Sequence, residues 1–493
     1  MNAIALPFAL PLLAAFLLAP VARISDSLAR ALGPLALLAT CVVLANLGLR
    51  WDGQPVSVAI GGFAPPLGIN FLVDGVSLLF AGLAAAGGLW LWPWGADRRE
   101  AALSLLLTSA AIGMALSGDL FNLYVFYELL SVASFGLVAA KGSGAAFVAS
   151  FRYLALSGLG SALALVGIAL VYTQTGTLNL AHLSQLAPEA LAGPLGLAAF
   201  ALIVLGVGVK AELFPVHIWV PEVYATAPAR ITALLAGVMS KLAVLVIVRL
   251  LVLAFPSEEA HGLLLVLGVL GVVVGEWAAW RARDLRRMLA YSSIGQLGLI
   301  FIAFSLPGAT GLFAGLALAL HHLVVKPGLF LLAARWGGGL DGLEGAAHRG
   351  RNGFWGATLF VLFALSLVGV PPLPGFWAKW ALVNALAESG GAYLWALGAV
   401  LAATVVEANY LFTTAVRLFR SAETRPPRER PHQKRLELEH DPVNLASVTA
   451  LAVVLLLAVT QLPSLGDGLS GLATRLADVD AYVTAVLGAG AAQ

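Results

Sequence analysis

The sequence predicts an all-α, polytopic membrane protein with about fourteen transmembrane helices. Three observations lead there. Of the 493 residues, 60% are hydrophobic and only 11% charged, where a soluble chain carries about 25% charge. The apolar residues fall into runs of about the 20 residues that a helix needs to cross a bilayer. The loops between the runs alternate between arginine-rich and nearly uncharged. The net charge of +2 gives no reason to expect a nucleic-acid partner. The single Cys41 leaves no internal disulfide and no cysteine-based metal site.

Taken in order, the runs fall at residues 3–22, 31–49 and 70–92 (spans 1–3). Residues 101–119, 120–140, 152–173, 194–212 and 229–254 follow as spans 4–8. Residues 261–280, 290–306, 310–334, 353–385 (interrupted) and 392–416 form spans 9–13, and 443–462 is span 14. The first run, MNAIALPFALPLLAAFLLAP, has no basic leader and reads as a retained helix, not a cleaved signal. Asp74 in NFLVDGVSLLF opens span 3 and Asp119 separates spans 4 and 5. Both are expected as helix caps or ion pairs. Glu276, near the cluster Arg281–Arg287, is expected in the same structural role.

Connections after odd-numbered spans carry Arg23 and Arg30, Arg98 and Arg99, Lys141 and Arg152, Arg230, Arg281 to Arg287, Arg335 to Arg351, and Arg417 to Arg435. Connections after even spans carry almost no Lys or Arg. The positive-inside rule puts the odd loops in the cytoplasm, so a multi-pass chain in a bacterial inner membrane would have both termini outside. The polar stretch 421–442 reads as a solvated cytoplasmic loop.

Two spans contain helix breakers. Span 7 ends in VKAELFPVHIWVPE with Pro215 and Pro221, and span 12 contains GVPPLPGFWAKW with Pro371, Pro372, Pro374 and Gly375. Non-helical backbone at membrane depth survives only where protein or a polar cavity satisfies it. Paired breaks in two halves point to a transport site built on inverted repeats. The expected organisation is 1–100 for spans 1–3, 101–255 for a first five-span repeat and 261–420 for a second, inverted one. Residues 421–442 are the charged loop and 443–493 are span 14 with its tail.

Four of the six lysines, Lys210, Lys241, Lys326 and Lys379, lie inside apolar spans, whereas the arginines sit in loops or at span ends. A charge at mid-bilayer costs about 2.5–3.5 kcal/mol even on the lenient scale. Lysine can shed its proton when buried; arginine in practice cannot. Glu128, well inside span 5, needs a partner or a proton, and Lys210 in the same half is the expected partner. Such a pair can switch, since parting the charges frees a proton. Lys241 is either a relay group or a lysine snorkelling to the interface. His322 lies four residues before Lys326 and shares its helix face, so it rather than His321 is expected on the path. A histidine beside a lysine suits proton relay. Pro327, directly after Lys326, is expected to distort that helix. Lys379 would end the path, with Glu407 in the next span, His217 and His321 as further candidates. Glu212 and Glu222 flank the first break and would line an entrance. Ser and Gly in ALSGLGSALALVG read as close-packing residues. No metal site, cofactor motif, phosphate loop or nucleophile elbow is present, which speaks against an enzyme.

The segment GVKAELFPVHIWVPEVYATAPARITALLAGVMSK resembles the central motif of antiporter-like subunits shared by respiratory complex I, membrane-bound hydrogenases and Mrp-type sodium/proton antiporters. The resemblance runs from about residue 70 to about residue 415. It implies the fourteen-helix fold with broken helices 7 and 12, Glu128 and Lys210 as the gating pair, Lys241 as a relay and Lys379 as the terminal group. HHLVVKPGLFLLA looks most like the D-type branch of the Mrp antiporter subunits, and Lys379 rather than Glu in PPLPGFWAK fits that branch and also the N subunit of complex I. That branch implies other membrane subunits as partners, protons and sodium as cargo, and no cofactor. The alternatives are a proton-pumping subunit of a redox complex, or a coupling subunit for inorganic-carbon uptake that docks a soluble partner through 421–444.

Overall fold

The structure is a computed structural model and describes residues 4–337, 339–420 and 442–488. Residues 421–441 lie outside them, which takes in all of the expected charged loop 421–442 but its last residue and all of the docking segment 421–444 of the coupling reading but its last three, where a helix begins at Pro442. The first helices are α1 (Leu6–Ile24) and α2 (Asp26–Arg50), followed by the strands β1 (Val56–Ala59) and β2 (Asn70–Val73). Helices α3 (Gly75–Trp90), α4 (Arg98–Leu116), α5 (Leu120–Ala139), α6 (Gly144–Thr175), α7 (Leu180–Ala190), α8 (Pro194–Gly208) and α9 (Val220–Thr226) come next. Then follow α10 (Ala229–Leu253), α11 (Glu258–Arg281), α12 (Leu285–Phe304) and α13 (Gly308–Trp336). The chain closes with α14 (Arg351–Val368), α15 (Pro374–Ser389), α16 (Ala392–Phe419), α17 (Pro442–Thr460), α18 (Leu462–Ala477) and α19 (Val479–Leu487).

Among the described residues eleven helices are long and apolar enough to cross a membrane, or twelve when α17 and α18, bent by 88°, count as one. The other two expected spans correspond to the shorter apolar helices α3 and α8. Span 3 is short because residues 70–73 are strand, paired antiparallel with β1 in the register Val56↔Val73. Asp74 then accepts from the Ser77 backbone at 2.7 Å while the Ser77 hydroxyl accepts from the Asp74 backbone N–H at 2.8 Å, a reciprocal cap that fixes where α3 begins. Asp119 caps α5 through Phe121 and Asn122, as expected. Asp74 is also an ion-pair partner, with both oxygens 2.8 Å from Arg249 Nη2.

Both breaks form. α8 stops at Gly208, and Trp219 Nε1 donates to Val209 O at 2.9 Å across the gap, satisfying one carbonyl freed by the break. Pro221 does not break a helix: it occupies the first turn of α9. In the second half α14 ends at Gly369, whose φ of 93° is a left-handed conformation that glycine adopts freely. Pro374 opens α15. Proline suits both first turns because the N–H it lacks would be unpaired there anyway. Pro327 likewise causes no break, for α13 runs through it without interruption. The adjustment falls on α10 instead, where Leu235–Met239 is a π-turn and Gly237 meets Pro327. A Cβ on Gly237 would lie 2.5 Å from the proline ring.

Helix α10 is buried along its whole length and α12 nearly so, whereas α1 and α2 present most of their surface. The core is therefore a bundle of α10, α12 and α13 jacketed by the other helices. At one end of that bundle α18 packs on α13 and α3, and α19 packs on α7 and β1.

Candidate functional site

The four lysines project into this core. Lys241 and Lys326 are wholly buried, and Lys210 and Lys379 nearly so. A buried ammonium must find acceptors, and each does so differently.

Lys210 lies two residues past the end of α8. Its Nζ donates to Tyr153 OH at 2.7 Å and Ser157 Oγ at 3.1 Å, over the Tyr153 ring at 3.9 Å. Glu128 is half-buried and accepts from Ser161 Oγ, which also bonds Tyr124 OH at 2.8 Å. Among the described residues no ion pair joins Glu128 to Lys210; the expected direct pair is replaced by a bridge. Tyr153, Ser157 and Ser161 recur every four residues on α6, so they share one face. Glu128 and Lys210 thus bind adjacent turns of the same stripe. The serines are functional candidates that look like packing residues in the sequence. Their four-residue spacing after Tyr153 is the signal that could have found them.

Glu212 does not line an entrance. It is buried at the break with φ 55°, an uncommon backbone for a non-glycine residue. Its Oε1 accepts from Tyr224 OH at 2.7 Å. Ser293 lies beside the carboxyl, whose Oε2 has no hydrogen-bond donor. Glu222, by contrast, is a surface partner of Arg152. His217 is buried, stacks on Phe214 at 5.5 Å, and its Nδ1 has no partner, so it is not joined to the chain of polar groups.

Lys241 does not snorkel. Its Nζ donates to the π-turn carbonyl of Ala236, to Ser240 Oγ at 3.0 Å, and contacts His322 Nδ1. His322 Nε2 is 3.3 Å from Ser293 Oγ. Lys326 donates to the neighbouring Ser292 Oγ at 2.7 Å and to Leu289 O at 3.2 Å. Both histidines have hydrogen-bond partners. His321 leaves the shared face and bonds Ser366 Oγ at 2.9 Å on α14. Gly375 makes that approach possible, since a Cβ there would lie 2.7 Å from His321 Nε2.

Lys379, in the second turn of α15, reaches back to Val368 O at 3.3 Å, where the negative end of α14 favours a cation. It pairs with Glu407 Oε2, and Glu407 Oε1 accepts from Gln296 Nε2 at 2.7 Å. Glu276 is no surface cap: it is buried and accepts from Tyr410 OH at 2.8 Å.

The result is a set of buried titratable groups, several of them joined through hydroxyls. It comprises Glu128, Lys210, Glu212, Lys241, His322, Lys326, Glu407 and Lys379; among the described residues no hydrogen bond joins Lys210 to Glu212 or Lys326 to Glu407. Over residues 117–405 the chain matches the family model described as NADH:quinone oxidoreductase/Mrp antiporter, TM. This chain belongs to that family. Within it, the chain is 35% identical over 398 residues to the N subunit of NADH-quinone oxidoreductase from Desulforudis audaxviator, covering 77% of this chain and 78% of that protein. It is 30% identical over 410 residues to the D subunit of the Na(+)/H(+) antiporter from Bacillus subtilis, covering 78% and 80%. Among solved structures, a chain of the membrane-bound sulfane sulfur reductase, an archaeal respiratory membrane complex, superposes with TM-score 0.88 at 31% identity, covering 99% and 100%. A chain of the Mrp complex from Dietzia sp. gives TM-score 0.86 at 27% identity, covering 99% of each. The family is one of membrane subunits, and the antiporter-like fold expected from the sequence is the one observed.

Proposed function

We infer that this chain is the proton-translocating membrane subunit of a multi-subunit cation/proton antiporter, and that sodium is the exchanged cation. One observation carries the reading: the buried series between Glu128 and Lys379 in which every buried lysine meets a histidine, a hydroxyl or a carboxylate. Each lysine can give its proton up, which arginine would not. The chain would work as a transport subunit beside other membrane subunits. The organisation that fits is spans 1–3 in 1–100, repeats in 101–255 and 261–420, and a terminal helix with tail in 443–493. The arginine-bearing loops would face the cytoplasm of a bacterial cell, leaving both termini outside.

The test is Lys210→Ala in the assembled complex, assayed for cation-driven proton flux in membrane vesicles. Flux should fall to background while the complex still assembles, and retained flux would refute the role. Likeness to a quinone oxidoreductase subunit favours a second reading, the same proton chain driven by electron transfer in partner subunits. Mass spectrometry of the gently purified complex separates the two. Small hydrophobic partners support antiport; iron–sulfur, flavin or nickel subunits support the redox pump.

A further inference from the structure

The proton chain has a side branch that the relay described above does not use. On the arginine-bearing face a cavity of about 470 Å³ opens between α11, α12 and α16, with Trp280, Arg281, Arg283, Asn409, Thr413 and Arg417 around it. Its lining extends inward to Tyr410, which is 4% exposed. From Tyr410 two ways lead on. The hydroxyl donates to Glu276 Oε2 at 2.8 Å, and it lies against Ser292, the residue whose Oγ accepts from Lys326 Nζ at 2.7 Å.

Glu276 has no structural task that would explain a carboxyl at this depth. Among the described residues it forms no ion pair, and its carboxyl is held by the Tyr410 hydroxyl. The helix opposite makes room for it: a Cβ on Gly295 would come 2.2 Å from Glu276 Oε1. A buried carboxyl without a cation costs several kcal/mol when charged, so it is a group built to be protonated part of the time. The arginines at the mouth repel a hydrated metal cation but leave water free to deliver a proton.

We propose that Glu276 and Tyr410 form a lateral proton inlet, joining the arginine-rimmed cavity to Lys326. The inference rests on the proton-translocation reading. For the transfer the Tyr410 hydroxyl, which donates to Glu276 in the structure, turns to Ser292, and the Glu276 acid O–H breaks as the Tyr410 oxygen takes that proton. Tyr410 passes its own hydrogen to Ser292, and Ser292 passes its own to the neutral amine of Lys326. A carboxylic acid and an amine become a carboxylate and an ammonium, with both hydroxyls unchanged. Water in the cavity then reprotonates Glu276 through Tyr410.

The test uses the whole complex in vesicles. Glu276→Gln and Tyr410→Phe should each lower proton flux by about tenfold or more, with assembly unchanged, and Glu276→Asp should restore part of it. A purely packing role would tolerate Gln better than Asp, and that order would overturn the proposal. Should the variants fail to assemble, Thr413→Cys in a Cys41→Ser background offers a block from outside. Attaching a bulky thiosulfonate reagent in the cavity should cut flux about fivefold or more; undiminished flux after full labelling overturns the inlet. Flux kept by the Glu276 and Tyr410 variants but lost in Lys210→Ala rejects the inlet alone. Flux kept in Lys210→Ala as well rejects the underlying reading.

Discussion

The ion pair of Lys379 and Glu407 makes a sharp prediction, because both ends are buried and both have a second partner. Glu407 is 1% exposed and its other oxygen is held by Gln296 at 2.7 Å; Lys379 also touches Val368 O at 3.3 Å. Removing one member of a buried pair costs about 3–5 kcal/mol, because a lone charge remains. The second partners here put each loss at the lower end, so Lys379→Met and Glu407→Gln should each cost about 3 kcal/mol. With both changes no charge is stranded, and the loss should shrink to about 1 kcal/mol. The assay is the heat resistance of the purified complex, followed by retention of this chain, for the wild type, both single variants and the double variant. The double variant should outlast either single one while transporting no protons. If the two losses simply add to within about 0.5 kcal/mol, the groups are not coupled and the terminal step of the relay is wrong.

Further outcomes follow from the other contacts. Glu212→Gln should lower proton flux by about tenfold, whereas Glu222→Gln, which breaks only an exposed pair with Arg152, should leave flux and stability within about 1 kcal/mol of normal; equal effects in vesicles would remove Glu212 from the relay. Ser157→Ala with Ser161→Ala should slow flux severalfold by cutting the bridge between Glu128 and Lys210, at a cost of about 1 kcal/mol per lost hydrogen bond, and unchanged vesicle flux would show that the two groups communicate directly. Gly237→Ala, whose methyl would meet Pro327 at 2.5 Å, should destabilise the complex by about 1–3 kcal/mol in heat-resistance measurements; no loss would mean that the π-turn relaxes freely.

The spans were legible because the bilayer imposes its cost residue by residue, and apolar runs answer it locally. The four buried lysines were legible for the same reason: each violates that rule at visible cost. What was not legible depends on partners distant in sequence. Ser157, Ser161, Ser292 and Ser293 look like ordinary packing residues until an ammonium, carboxyl or imidazole from another helix settles beside them. Glu276 and Tyr410 are 134 residues apart, and nothing local joins them. The start of α3 was misplaced because strand pairing with β1 competes with helix at residues whose hydrophobicity suits either. Pro221, Pro374 and Pro327 show that a proline's effect depends on position: the first two begin helices, and the third shifts its consequence to the neighbour at Gly237.

The bent pair α17–α18 has a mechanical consequence. After turning by 88° the chain crosses from α13 to α3, then lays α19 against α7 and β1. Tyr482 there sits 5.9 Å from the Arg249 guanidinium that grips Asp74. This girdle ties the late helices to the early ones, like a hoop around staves. A hooped bundle resists the rocking of one half against the other by which many carriers expose their sites alternately. Protons would then have to move by small rotations of side chains inside a frame that stays shut, and the work of gating would fall on hydroxyl and lysine rotamers within a few ångströms.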